Sequence, residues 1–343
     1  MRILVVGAGA VGGYFGGRLI EAGCDVTFLV RPRRAAELAA GGLLIKSATG
    51  DFTEPSPPTV LSGDLDAPFD LILLSCKAYS LDDAISSFLP AVGPDTVILP
   101  LLNGMRHLDI LDERFGRAHV LGGQCQIAAT LDHERRVVHL SQNHELSFGE
   151  RDGAMSDRVR AIADQMHDAA FEVRASRQIL LEMWEKWVFL SALAAATCLM
   201  RAAVGDIAKA PGGTRLVHDL LDESRAIAAA SDFAPRDAFL ERALDTLTAA
   251  GSSFTASMLR DIENHNPIEA DHIIGDLIQR GERVGALPDK GSLLRLAYTH
   301  LKAYEARGRT QPIESLTPCA APRSGRVSAP KGNRACPSRR ALG

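Results

Sequence analysis

The 343 residues are 46% hydrophobic and 23% charged with a formal net charge of −4, an ordinary globular balance with room for about two domains. Run length argues against a membrane anchor: Trp187 to Met200 carries no formal charge, but a spanning helix needs about 20 apolar residues. The six cysteines form no CxxC pair, which argues against zinc and against a disulfide framework and favours a reducing cytoplasm.

In chain order, RILVV from Arg2 to Val6 predicts a short buried strand. A glycine turn follows, then a helix carrying Val11, Phe15, Leu19 and Ile20 at helical spacing and closing at Gly23. The early glycines would interrupt a signal-peptide core, so no leader is expected. DVTFLVR predicts a second strand. FDLILLSCK, DTVILPLLNG and HVLGGQCQIAAT each predict a buried strand running into a polar or glycine-rich loop, with helices near Leu81 to Leu89 and His107 to Phe115. Strands alternating with helices predict a Rossmann-type, doubly wound parallel sheet. RRVVHLSQNHELSFGE alternates like an antiparallel edge.

From about Asp157 to Arg307 the apolar residues recur at three and four, with breaks at Pro211 to Gly213, Pro235, Gly251 and Pro288. That pattern predicts an all-helical second domain. The expected division is a Rossmann-type α/β domain over 1–155, a helical substrate and dimerisation domain over 156–308, and a tail over 309–343. The tail holds seven basic residues and one acid, net +6 against −10 for the rest, and is rich in Pro, Ser, Gly and Ala. It reads as disordered; no aromatic residue interleaves its charges, so nucleic acid is not the expected partner.

Gly7, Gly9 and Gly12 form G-x-G-x-x-G between a predicted strand and helix. The first permits the tight turn, the second lets the backbone approach a pyrophosphate, and the third allows close helix packing. An NAD site places an acid about 20 residues on; here Arg31 stands there, followed by Arg33 and Arg34. A guanidinium at that point suits a 2′-phosphate and favours NADP(H), although the same arginines could simply start a solvated helix face. Lys77 and Asn103 each end a predicted strand, on the side where open α/β sheets bind ligands. The plainer readings are a surface lysine and an Asn-Gly turn. His139, His144, His265 and His272 make no convincing metal set.

With the glycine turn, Arg31, Lys77, NGM at Asn103, WEKWVF around Lys186 and SMLRDIENHNPIEADHI from Ser257, residues 1 to about 305 resemble the ketopantoate reductase family. The resemblance implies NADPH-dependent reduction of a 2-oxo acid, in pantothenate biosynthesis 2-dehydropantoate to pantoate, in a cleft between two domains. By that likeness Lys186 is the general acid, Ser257 contacts the substrate carboxylate, and Asn103 lies near nicotinamide ribose and substrate. Glu269 engages the cofactor, and Ala129 makes a backbone contact to it. A homodimer is implied as well. The residues alone leave blander options: Lys186 paired with Glu182 on a wet helix face, and Asn266, Pro267 and Glu269 as a capping box. One departure is clear, because Leu190 and Ala194 stand where the best-known members carry asparagines. This leaves open a reductase of another branched or less polar ketone, or an NADPH-binding sensor without turnover.

Overall fold

A computed structural model describes residues 1–310, with no account of the side chains from 308 onward; the expected disorder of the tail falls outside the described residues almost entirely. The strands are β1 (Arg2–Val6), β2 (Asp25–Leu29), β3 (Leu43–Lys46), β4 (Phe52–Glu54), β5 (Thr59–Val60), β6 (Leu71–Leu74), β7 (Val97–Pro100), β8 (Gly122–Leu131), β9 (Val137–Gly149) and β10 (Glu172–Ala175). Around them lie α1 (Ala10–Glu21), α2 (Pro32–Gly41), α3 (Leu81–Phe88), α4 (Arg106–Phe115) and α5 (Asp157–Met166). The helical body holds α6 (Ile179–Met200), α7 (Val204–Lys209), α8 (Gly213–Ala230), α9 (Asp237–Leu247), α10 (Ser257–Glu263), α11 (Asp276–Arg283) and α12 (Leu293–Thr310). A π-turn over Asp271–Gly275 runs directly into α11.

The first sheet has the order β5-β2-β1-β6-β7, all parallel, with Arg2 opposite Asp25 and Ile3 opposite Leu71. Its central strands are apolar without alternation because both faces are covered: Ile3, Leu4, Leu71, Ile72, Leu73 and Leu74 are fully buried. The chain reverses its winding between β1 and β6, and the turns after these two strands open onto one edge.

A second sheet, β10-β9-β3-β4 with β8 on β9, departs from the expectations. β9 pairs antiparallel with β8, as its alternation predicts, but parallel with β3 and β10. GGQCQIAAT, expected as a loop, is itself strand β8, and Val120 just before it forms a parallel bridge to Ile98 of the first sheet. The glycines serve approach rather than flexibility: a Cβ on Gly123 would stand 2.4 Å from Leu99 Cδ1 and 2.6 Å from the Pro100 carbonyl.

The stretch expected to be helical from Asp157 contains strand β10, and both α5 and β10 pack with the N-terminal body, where Val159, Ile162, Met166 and Phe171 join its core. Parallel pairing to β9 decides this, because Val173 and Ala175 gain a sheet edge there. The helical body is centred on α6, whose faces meet α8, α10 and α12. Trp187, Val188, Ala192, Ala195 and Cys198 are inaccessible, which is why the stretch lacks charge. Among the described residues no helix is long and apolar enough to cross a membrane.

Candidate active site

The turn after β1 is built by its glycines. Gly7 has φ +96° and donates to the Leu29 carbonyl at 3.0 Å. A Cβ on Gly12 would lie 2.1 Å from the Gly7 carbonyl and 2.2 Å from Ser75 Oγ, so α1 can sit this close only with glycine there. Ser75, at the end of β6, fixes the turn by donating to the Val6 and Gly7 carbonyls at 2.9 and 3.1 Å. At Gly9, by contrast, a Cβ would meet nothing within 4 Å. The turn is therefore braced from behind and open in front, as a dinucleotide pyrophosphate at the start of α1 requires.

Arg31 precedes α2 in extended conformation, and its side chain is 73% exposed with only a loose pairing to Asp83 at 3.7 Å. It is free to meet an anion. Arg34 is committed elsewhere: its Nε donates to the Ala8 carbonyl at 3.0 Å and another nitrogen pairs with Glu37. Ala129 sits on β8 opposite His139, just past a bulge in the β8–β9 ladder.

Lys77, after β6, reaches across to the helical body, where Asp261 and Glu269 hold its ammonium at 3.1 and 3.4 Å. Burial lowers its affinity for the proton, but the two carboxylates outweigh this and its pKa is raised. Glu269 also accepts from the Ala78 backbone N–H at 2.9 Å. Its carboxylate thus spans the two bodies rather than closing a capping box with Asn266. Asp261 is the aspartate of SMLRD, a position the sequence marked as motif without a role.

Lys186 lies two turns into α6, which begins earlier than its uncharged run. Its Nζ donates to the Cys125 carbonyl on β8 at 2.6 Å, and among the described residues no carboxylate is within ion-pairing distance of it. Burial drives its pKa down, with the Cys125 side chain opposing weakly. Pairing with Glu182 does not occur. Glu182 is taken by Arg174 at 2.8 Å and by Ser176 at 2.8 Å, which clamps the first turn of α6 to β10 and aims the next turn at β8. Ser257 opens α10, exposed, and its hydroxyl makes no hydrogen bond among the described residues.

Asn103 and Gly104 form the turn after β7, and Gly104 has φ +78°. A Cβ there would press to 3.0 Å from the His272 carbonyl, so the glycine lets this turn rest on the π-turn segment. Beside it His107 of α4 and His272 face each other with nitrogens 3.3 Å apart and rings stacked at 5.5 Å. Burial lowers both pKa values; the neighbouring His272 and then Lys186 add to the effect on His107. Sequence reading missed this pair because neither histidine has a local signal for the other.

The structure thus brings Lys77, Glu269 and Asp261 together at one point of the seam, with Asn103 against His272 and Lys186 against β8 at others. A cavity of ≈ 580 Å³ flanks the seam, walled by Tyr79, Arg106, His265, Glu269 and Tyr304. Neither Lys186 nor the glycine turn lines it; it meets the site residues along an edge formed by Ala78, Glu269 and His272.

Comparison with known proteins points to one family. The family model described as ketopantoate reductase PanE/ApbA matches residues 3–153, and the model of that family's C-terminal part matches residues 178–303. The chain is 37% identical over 307 residues to the uncharacterized oxidoreductase YkpB of Bacillus subtilis, covering 89% of this chain and 99% of that one. A crystal structure of 2-dehydropantoate 2-reductase from Geobacter metallireducens is 27% identical, with TM-score 0.80 over 88% of this chain and 99% of that one. D-mandelate dehydrogenase, solved with NADH and anilino(oxo)acetate, shares the fold at TM-score 0.80 and 20% identity, over 91% of this chain and 100% of that one.

Proposed function

The chain belongs to the ketopantoate reductase family, and from that premise we propose that it reduces a 2-oxo acid with NADPH, by family default 2-dehydropantoate to pantoate. The observation that carries this reading is Lys186: a half-buried ammonium at the junction of the two bodies, held by a backbone carbonyl and not neutralised by an acid.

Gly7, Gly9, Gly12 and Arg31 hold the cofactor, Gly9 by leaving room for the pyrophosphate and Arg31 by meeting the 2′-phosphate. Lys77, Asn103, Ala129 and Glu269 complete its surroundings. NADPH bound there would supply the hydride that the ketone carbon accepts. Ser257 orients the substrate by donating to its carboxylate. As the carbonyl π bond breaks and charge collects on oxygen, Lys186 first stabilises that charge and then transfers a proton to it, giving the 2-hydroxy acid. Its lowered pKa suits this task, because a more acidic ammonium gives up its proton more readily. The neutral amine then regains a proton from water. The seam between the bodies would tighten around the substrate and exclude solvent. We also carry the family homodimer as a proposal; a monomeric mass by light scattering would overturn it.

The test is NADPH oxidation with ketopantoate and a panel of 2-oxo acids, comparing the protein with Lys186→Ala. Loss of the proton donor should lower kcat by roughly 10²- to 10⁴-fold while NADPH still binds. Tight NADPH binding with no turnover on any panel member would instead favour a sensor. Within the reductase reading the substrate is open, since Leu190 and Ala194 depart from the best-known members and the fold is shared with an enzyme named for mandelate.

A further inference from the structure

α6 is almost wholly enclosed between Glu182 and Cys198, and the few residues there that reach solvent are Lys186, Phe189 and Leu190. They stand at i, i+3 and i+4, which places them on one stripe of the helix about a turn apart. The helix is therefore open along one short strip, with the proposed proton donor at its head and two apolar side chains directly after it.

A third apolar group extends this strip. Phe254 stacks on Phe189 with ring centroids 6.3 Å apart and planes within 24°, yet remains 38% exposed. Its position is fixed by backbone: the Phe254 carbonyl accepts from Val204 N–H at 3.0 Å, and the Ser252 carbonyl accepts from Gly205 N–H at 2.9 Å. A Cβ on Gly205 would lie 2.4 Å from Ser252 N, so this close docking of the loop onto α7 depends on that glycine. Three residues beyond Phe254 comes Ser257, exposed on α10, which itself packs against α6. An aromatic side chain held rigidly in partial exposure has a desolvation gain still to make.

Resting on the reading above, we propose that Phe189, Leu190 and Phe254 form the specificity wall, and that the substrate is a 2-oxo acid with a bulky apolar, preferably aromatic, side chain. With the ketone at Lys186 and the carboxylate at Ser257, the remaining substituent faces this wall. A phenyl ring gains by covering Phe254, whereas the hydroxyl of ketopantoate would be desolvated against three side chains that offer it no hydrogen bond.

Steady-state NADPH oxidation with 2-oxo-2-phenylacetate, 2-oxo-4-methylpentanoate, ketopantoate and pyruvate tests this. The wild-type kcat/KM should favour the two apolar acids over ketopantoate by about tenfold or more. Phe254→Ala should lower kcat/KM for 2-oxo-2-phenylacetate about tenfold more than for pyruvate, and Leu190→Asn should shift the preference toward ketopantoate. A wild type that prefers ketopantoate, or a Phe254→Ala loss equal across the panel, overturns the wall and leaves the reductase standing. NADPH binding by fluorescence with no turnover on any of the four overturns both. Thermal melting of both variants beside wild type separates loss of preference from loss of fold.

Discussion

Lys186 is positioned by one hydrogen bond to a carbonyl and depressed by burial, and that combination has a measurable signature. Reduction needs the protonated amine. The alkaline limb of kcat/KM, which reports the free enzyme, should therefore fall with an apparent pKa below the ordinary lysine value of 10.5 and vanish in Lys186→Ala. A limb at or above that value would show that the cleft keeps the lysine solvated. Arg31 gives the second test at this scale. Its guanidinium is exposed and loosely paired, so Arg31→Ala should leave the fold unchanged and weaken NADPH binding by about ten- to a hundredfold, the usual worth of a charge-assisted contact. NADH, lacking the 2′-phosphate, should bind as before. Fluorescence titration of both cofactors reads the difference; equal losses would mean that Arg31 is not the phosphate partner.

Among the elements, α6 decides where the chemistry stands. Its first turn is tied to β10 through Glu182 and Arg174, its second presents Lys186 to β8, and Glu185 is buried against Arg236. Arg236 donates its backbone N–H and its Nε to Glu185 at 2.9 and 2.8 Å, and the carboxylate is only 3% exposed. Arg236→Ala would strand that charge next to the catalytic turn. A loss of about 3 kcal/mol is expected, read as a lower denaturation midpoint in urea. Arg236→Lys should recover part of it, since the ammonium can pair but cannot reproduce the fork. An unchanged midpoint in the alanine variant would show that water reaches Glu185. The glycine-rich β8 teaches the opposite lesson from propensity: glycine suits a loop in isolation, yet here it is the residue small enough for a strand to lie against the end of β7.

For the whole molecule, the seam between the two bodies holds an acid-sensitive contact. His107 and His272 stack across it, and both have folded-state pKa values below the ordinary 6.5. The groups bearing on them from neighbouring elements are Lys186, Arg280, Arg151 and Arg106, which disfavour a further cation, and Glu269 and Asp276, which favour it at His272. The unfolded chain binds protons at these sites first as pH falls, so their contribution is intact above about 6.5 and is lost between that value and the lower folded-state values. The melting temperature should therefore drop on going below pH 6.5, and His107→Gln should flatten that drop. A melting curve equally steep in the variant would assign the effect elsewhere.

Much of this architecture was legible in the sequence. Arg2 to Val6 followed by Gly7, Gly9 and Gly12 encodes strand, turn and helix within a dozen residues, and the three-and-four spacing after α6 encodes a helical body. β3, β4 and β10 were not legible, because strands of three or four residues carry too little periodicity to stand out. By itself the sequence determined the glycine turn, the two-body plan and the family, all of which rest on side-chain pattern over short windows. Only the tertiary structure decided partners. Lys186 meets the carbonyl of a residue 61 positions away, and Lys77 meets a carboxylate 192 positions away, so Glu269 serves the seam rather than its own helix. The reason is physical: a local pattern says which face of a segment will be buried, but what it is buried against depends on how distant segments pack together.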